Sequence, residues 1–100
     1  MKETNKSING TCFFSVVVPA TVAQMKSILG TPEVNGTVED KSQFDWYMET
    51  DGGEVFTVYD WKEGRLLTED VLVNWHVGSF TKEASEAAEV ELLAALKKIK

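Results

Sequence analysis

Phe44-Asp45-Trp46-Tyr47-Met48-Glu49-Thr50-Asp51-Gly52-Gly53-Glu54-Val55-Phe56-Thr57-Val58-Tyr59-Asp60-Trp61 is the stretch that decides the fold. Phe44, Trp46 and Met48 alternate with Asp45, Tyr47 and Glu49, the period of two of a half-buried strand. Asp51-Gly52-Gly53 is a turn signal, and residues 54–61 form the strand that returns. Turn length sets the register, and a slip of one residue exchanges the two faces. A two-residue turn places Trp46 beside Thr57 and Tyr59. A three-residue turn with a glycine in the left-handed region instead groups Phe44, Trp46 and Met48 with Phe56 and Val58. It leaves Tyr47, Thr57 and Tyr59 on the other face. The second arrangement separates apolar from polar side chains more cleanly and is the one expected.

Outward from this hairpin the other elements follow. Residues 1–10 are polar and read as a mobile leader, with one domain over residues 11–100. Cys12-Phe13-Phe14-Ser15-Val16-Val17-Val18 reads as a strand ended by Pro19, and its unbroken apolarity suggests cover on both faces. Thr21 and Gln24 have the spacing of a capping box. Val22, Met25, Ile28 and Leu29 then share one helical stripe, which Gly30 and Pro32 terminate. Residues 33–42 read as a polar connector, and residues 62–70 as a charged loop. Val71, Val73, Trp75 and Val77 alternate with Asn74 and His76 in a further strand, which Gly78 and Ser79 break. Over about residues 82–99, Ala84, Ala87, Ala88, Leu92, Ala95, Leu96 and Ile99 fall at helical spacing. Glu83, Glu86 and Glu89 come early in that helix and Lys97, Lys98 and Lys100 late, as the helix dipole favours. The order β-α-β-β-β-α predicts an α+β fold, an antiparallel sheet with helices packed on one face.

At 100 residues the chain has the length of one domain, and 43% hydrophobic composition is too apolar for a disordered one. The longest uncharged apolar stretch, residues 12–18, is too short to span a bilayer, and the polar start does not fit a secretory signal. No membrane association is expected. One cysteine, Cys12, allows no internal disulfide and points to a reducing compartment, so the cytoplasm is the expected location.

The net charge of −6 is unevenly placed. Residues 39–70 carry ten acidic side chains against Lys41, Lys62 and Arg65, a balance of −7 that accounts for the whole excess. Without a basic footprint to release counterions, no direct nucleic-acid binding is expected. The acidic centre fits a solvated sheet face, or a surface that occupies a basic protein's groove in place of nucleic acid.

His76 is the only histidine, so His-pair metal sites are excluded, and a lone cysteine excludes thiolate zinc sites. Asp45, Glu49 and Asp51 lack calcium-loop spacing, and no glycine-rich phosphate loop is present, so neither metal nor cofactor is expected. Cys12, at the start of an apolar strand, is expected to be a buried, inert thiol. Ser79 lacks the Gly-x-Ser-x-Gly elbow of a serine nucleophile. General acid–base work by His76 with Asp60 is the enzymatic reading that the strand ends admit. A denser feature is aromatic: Tyr47, Tyr59, Trp61 and His76 come from neighbouring strands, with Lys62, Arg65, Asn74 and Ser79 close by. Such rings stack a planar base while cations hold phosphate, which makes these eight the candidate ligand residues. Trp46, Phe56 and Trp75 are assigned to the core. The alternative for the strand-end residues is that they close the fold and bind nothing.

Tyr59-Asp60-Trp61-Lys62 followed by Asn74-Trp75-His76-Val77-Gly78 resembles a motif pair in short accessory proteins of bacteriophages and large DNA viruses. Those proteins have a Trp-bearing strand, a Tyr-Asp-Tyr/Trp-Lys strand end and a Trp-His-Ile/Val-Gly turn before a terminal helix. Leu29-Gly30-x-Pro32 and Asp40-Lys41 also fit, and the likeness runs over about residues 16–96. Ser79 departs from it where a second glycine is frequent. The resemblance implies a viral accessory protein that antagonises host defence, acting in the host cytoplasm, and carries no settled activity with it. The favoured expectation is sequestration of a nucleotide-derived signal of the cyclic-nucleotide type. In it Tyr59 or Trp61 stacks and Lys62 or Arg65 holds phosphate, in one version across a homodimer. The alternatives are an acidic inhibitor that binds a host nuclease or defence effector, and a small hydrolase using His76.

Overall fold

The computed structural model describes residues 1–34, 43–61, 63 and 65–99. Among them the elements are β1 (Lys2–Glu3), β2 (Cys12–Thr21), α1 (Val22–Leu29), β3 (Glu33–Val34), β4 (Phe44–Glu49), β5 (Val55–Tyr59), β6 (Leu72–Ser79) and α2 (Lys82–Lys98). Every strand pairing is antiparallel, in the order β1-β4-β5-β6-β2, and β3 also pairs with β4. The expected α+β order is present, with the two-residue strands β1 and β3 added on the outer edge of β4.

The hairpin adopts the three-residue register. Trp46 lies opposite Val58 and Met48 opposite Phe56, while Tyr47 faces Thr57 and Asp45 faces Tyr59. Gly53 has φ +85°, and its N–H donates to the Thr50 carbonyl, as a left-handed residue closing such a loop requires. With this register fixed, Trp46, Met48, Phe56, Val58, Val73, Trp75, Val77, Val16, Val18 and Ala20 are all buried on one face. Both helices cover that face. The capping box of α1 forms as the sequence predicts, and Val22, Met25 and Leu29 pack into the same core. Thr81 caps α2 through the Ala84 N–H, and Ala88, Leu92 and Leu96 are its buried stripe. The two covered indoles meet edge to face, with centroids 5.3 Å apart. Each donates its N–H to a carbonyl at one end of α1, Trp75 to Ala20 and Trp46 to Gly30.

Several expectations need correcting. The first part of the polar N-terminus is held to the sheet: Lys2 and Glu3 pair with β4, Thr4 donates to Glu49, and Lys6 donates to the Gly53 carbonyl. Backbone pairing of a polar two-residue strand leaves no hydrophobic period to read. Strand β2 is covered on one face only, with Phe13 exposed and Val17 half-buried on the other. It also continues through Pro19 to Thr21, which an edge strand tolerates because one row of its N–H groups has no partner strand. Strand β6 does not break at Gly78 and Ser79 but pairs through both, with Phe13 and Cys12 on one side and Thr57 and Phe56 on the other. Of the connector 33–42, Glu33 and Val34 form β3, and residues 35–42 lie outside the described residues. No helix is long and apolar enough to cross a membrane, among the described residues.

Candidate functional site

The two motifs fold onto adjacent strands, and the strand period divides them between faces. Asp60 is buried, and its carboxylate accepts the backbone N–H groups of Gln43 and Phe44 at 2.8–3.0 Å. It therefore anchors the entry to β4. Buried Gln43 continues the anchor, its amide donating to the Arg65 carbonyl and accepting from the Leu67 N–H. Trp75 and Val77 are core. A Cβ at Gly78 would lie 2.8 Å from Thr57 Oγ1 and 3.6 Å from the Tyr59 ring, so glycine here makes room for its neighbours on the open face.

Tyr59, Trp61 and His76 point the other way and meet. The His76 ring lies 5.6 Å from Tyr59 and 6.3 Å from Trp61, and Tyr59 stands edge-on to Trp61 at 6.1 Å. Phe13, which sequence reasoning missed, stacks on His76 at 4.3 Å with the planes 20° apart. A bulge puts it there. Val16 pairs with Val77, so a regular register would set Ser15 opposite Gly78; instead Phe13 takes that place. Ser15 has φ +68°, a left-handed conformation rare outside glycine. Bulges of this kind re-aim side chains near functional sites. The available signal was Ser15 interrupting the Phe-Phe…Val-Val-Val run.

The face is partly buried, with carboxylates near its rings. Burial pushes the Tyr59 phenol up, with smaller contributions from Asp45 and Cys12, and burial also raises Tyr47, followed by Asp45 and Glu33. Burial lowers the His76 imidazole, against the pull of Glu63. Both phenols thus keep their protons at neutral pH and His76 is a neutral ring. The result is an uncharged aromatic surface with carboxylates around it.

Tyr47 and Asn74 lie on the same open face, Tyr47 half-buried opposite Thr57 and Asn74 exposed two residues before His76. Arg65 is exposed, with its guanidinium on Glu63 Oε1 and the Leu72 carbonyl, both at 3.0 Å. Lys62 lies outside the described residues. Ser79 is corrected: it is fully buried on the covered face, its hydroxyl bonded to the Thr81 carbonyl and the Ser85 hydroxyl. It joins β6 to α2 and cannot touch a ligand on the open face. Cys12 is exposed, not buried as expected, because it is the first residue of the edge strand β2. Asp60 is engaged by the backbone and has no hydrogen bond to His76, which removes the acid–base pair that the strand ends admitted. Among the described residues no three His, Cys, Asp or Glu side chains gather to hold a metal ion.

An arrangement of this kind can stack on planar groups and attract cations to ring faces. Among the described residues, concavities lie beside Gly52 and beside Leu93 on α2, and Phe13 and Trp61 are exposed ring surface. Comparison with protein-family models, with curated proteins and with solved structures finds no match for this chain.

Proposed function

We propose that this protein is a non-enzymatic binding module whose open aromatic face docks a basic protein, and that the partner is a host defence effector, as the resemblance to viral accessory proteins implies. The observation that carries this reading is the contact cluster of Phe13, Tyr59, Trp61 and His76, uncovered and influenced by Glu63 and Asp45. Rings with neighbouring carboxylates suit arginine or lysine side chains, which gain both cation–π and ionic attraction. A nucleotide-derived signal would need free cations beside the rings, and among the described residues the candidate cation, Arg65, is engaged by Glu63.

The test is a titration with arginine-rich and lysine-rich peptides, followed by heteronuclear NMR. Shifts should concentrate on Phe13, Tyr59, Trp61 and His76, weaken steeply with salt, and fall about tenfold in affinity in Trp61→Ala. Peptides that shift nothing would sink the reading. If cyclic or linear nucleotides instead raise the melting temperature and are released intact on denaturation, the protein sequesters a nucleotide. Turnover of such a compound that disappears in His76→Ala would make it an enzyme.

A further inference from the structure

Helix α2 has an outer stripe that its own fold does not use. Val90 is 68% exposed and Leu93 44%, although the helix buries Ala84, Ala88, Leu92 and Leu96. Glu86 precedes Val90 by four residues and Lys97 follows Leu93 by four, so Glu86, Val90, Leu93 and Lys97 lie along one face. No ion pair among the described residues engages Glu86 or Lys97. Next to Leu93 the apolar surface continues into a groove of about 520 Å³ lined by Pro19, Leu72 and Leu96, where Leu72 is 61% exposed.

We propose that α2 pairs antiparallel with α2 of a second copy of this chain. The stripe reads acid, apolar, apolar, base from N- to C-terminus. Rotated by a two-fold axis between Val90 and Leu93, it is its own complement: Glu86 meets Lys97 of the second copy, and Val90 meets Leu93. A parallel pairing would set Glu86 on Glu86 and Lys97 on Lys97, so the charges select one orientation. Antiparallel helix dipoles favour the same one. The protein's negative charge does not oppose it, because the excess falls in residues 39–70 while residues 71–100 balance four lysines against four glutamates. A stripe this short buries well under the roughly 800 Å² per partner of a standard interface, so the dimer is weak, in the micromolar range or above. Since α2 packs on the covered side of β2, β5 and β6, both open aromatic faces stay free in the dimer and point outward.

Sedimentation velocity over about 10 µM to 1 mM reads the equilibrium, a range set by that interface size. Glu86→Lys and Lys97→Glu should each weaken the dimer about tenfold through like-charge contacts, and the double variant E86K/K97E should restore it. These residues are exposed, so circular dichroism should be unchanged in all three. A monomer throughout the range overturns the proposal. So does a dimer insensitive to the single reversals, one that the double reversal fails to rescue, or one that Trp61→Ala on the open face disrupts.

Discussion

Two aromatic groups occupy opposite faces of the same strands, and they are built for different ends. On the covered face Trp46, Phe56 and Trp75 are buried, and both indole N–H groups donate to carbonyls at the ends of α1. On the open face Phe13 and Trp61 remain 43% and 39% exposed, and the rings pack on His76 with no helix above them among the described residues. One group closes the core and satisfies its polar atoms internally. The other is a partly exposed ring surface. A motif that reads as one unit in sequence is thus half scaffold and half surface: Asp60, Trp75 and Val77 serve the first, Tyr59, Trp61 and His76 the second.

The sharpest way to break that division is to truncate one tryptophan from each face. Trp75→Ala removes a fully buried ring, its edge contact with Trp46 and the bond to Ala20. Such a change costs about 3–5 kcal/mol, enough to unfold much of a marginal domain. Trp61→Ala should cost no more than about 1 kcal/mol in urea denaturation. Equal losses would mean that Trp61 is as much a core residue as Trp75. Asp60→Asn comes next. It keeps the shape but removes the charge that accepts the Gln43 and Phe44 N–H groups, for a loss of about 2 kcal/mol. A neutral outcome would show that the entry to β4 does not depend on this carboxylate.

What the sequence reveals follows the range of the interaction concerned. The hairpin register, the capping box of α1 and the stripe of α2 are local patterns of period, turn and cap, and all are legible. Strands β1 and β3 are two residues each, too short for a side-chain period to mark them. Asp60 is an acceptor for groups 16 and 17 residues away, a role its neighbours cannot announce. Gly78-Ser79 looks like a strand break because glycine and serine usually mark one. Here the glycine provides clearance for Thr57 and Tyr59, and the serine hydroxyl reaches Ser85 on α2. In the candidate site, the meeting of Tyr59, Trp61 and His76 is legible from alternation on neighbouring strands, and the arrival of Phe13 is not, because a bulge brings it in.

Gly78→Ala probes the contact between scaffold and surface. Its φ is unexceptional, so any cost comes from the new methyl group against Thr57 Oγ1. Thr57 is buried and cannot swing clear, and a loss of about 1–2 kcal/mol is expected. Thr57→Ala in the same chain should recover most of it, a coupling that thermal or urea denaturation of the four-member cycle measures directly. Additive losses would show that the crowding lies elsewhere.

The smallest expected effect distinguishes the faces by pH. Burial under the open-face rings lowers His76 below its ordinary 6.5, so the unfolded chain takes up this proton first as pH falls. The stabilisation is therefore complete above pH 6.5 and is lost from there down through the folded value. Glu49 acts in a separate window. Its carboxyl is lowered, chiefly by the Thr4 hydroxyl, so its contribution is lost only as pH falls below 4.5. His76→Phe retains a ring against Phe13 and removes the titration, so the slope just below pH 6.5 should flatten while the acid limb stays. A slope unchanged by the substitution would mean that the imidazole is not held under the rings. The same proton should also weaken docking of a basic peptide, because it places a positive charge at the centre of the face. That acid sensitivity of binding should vanish in His76→Phe, which ties the titrating group to the surface and not to the core.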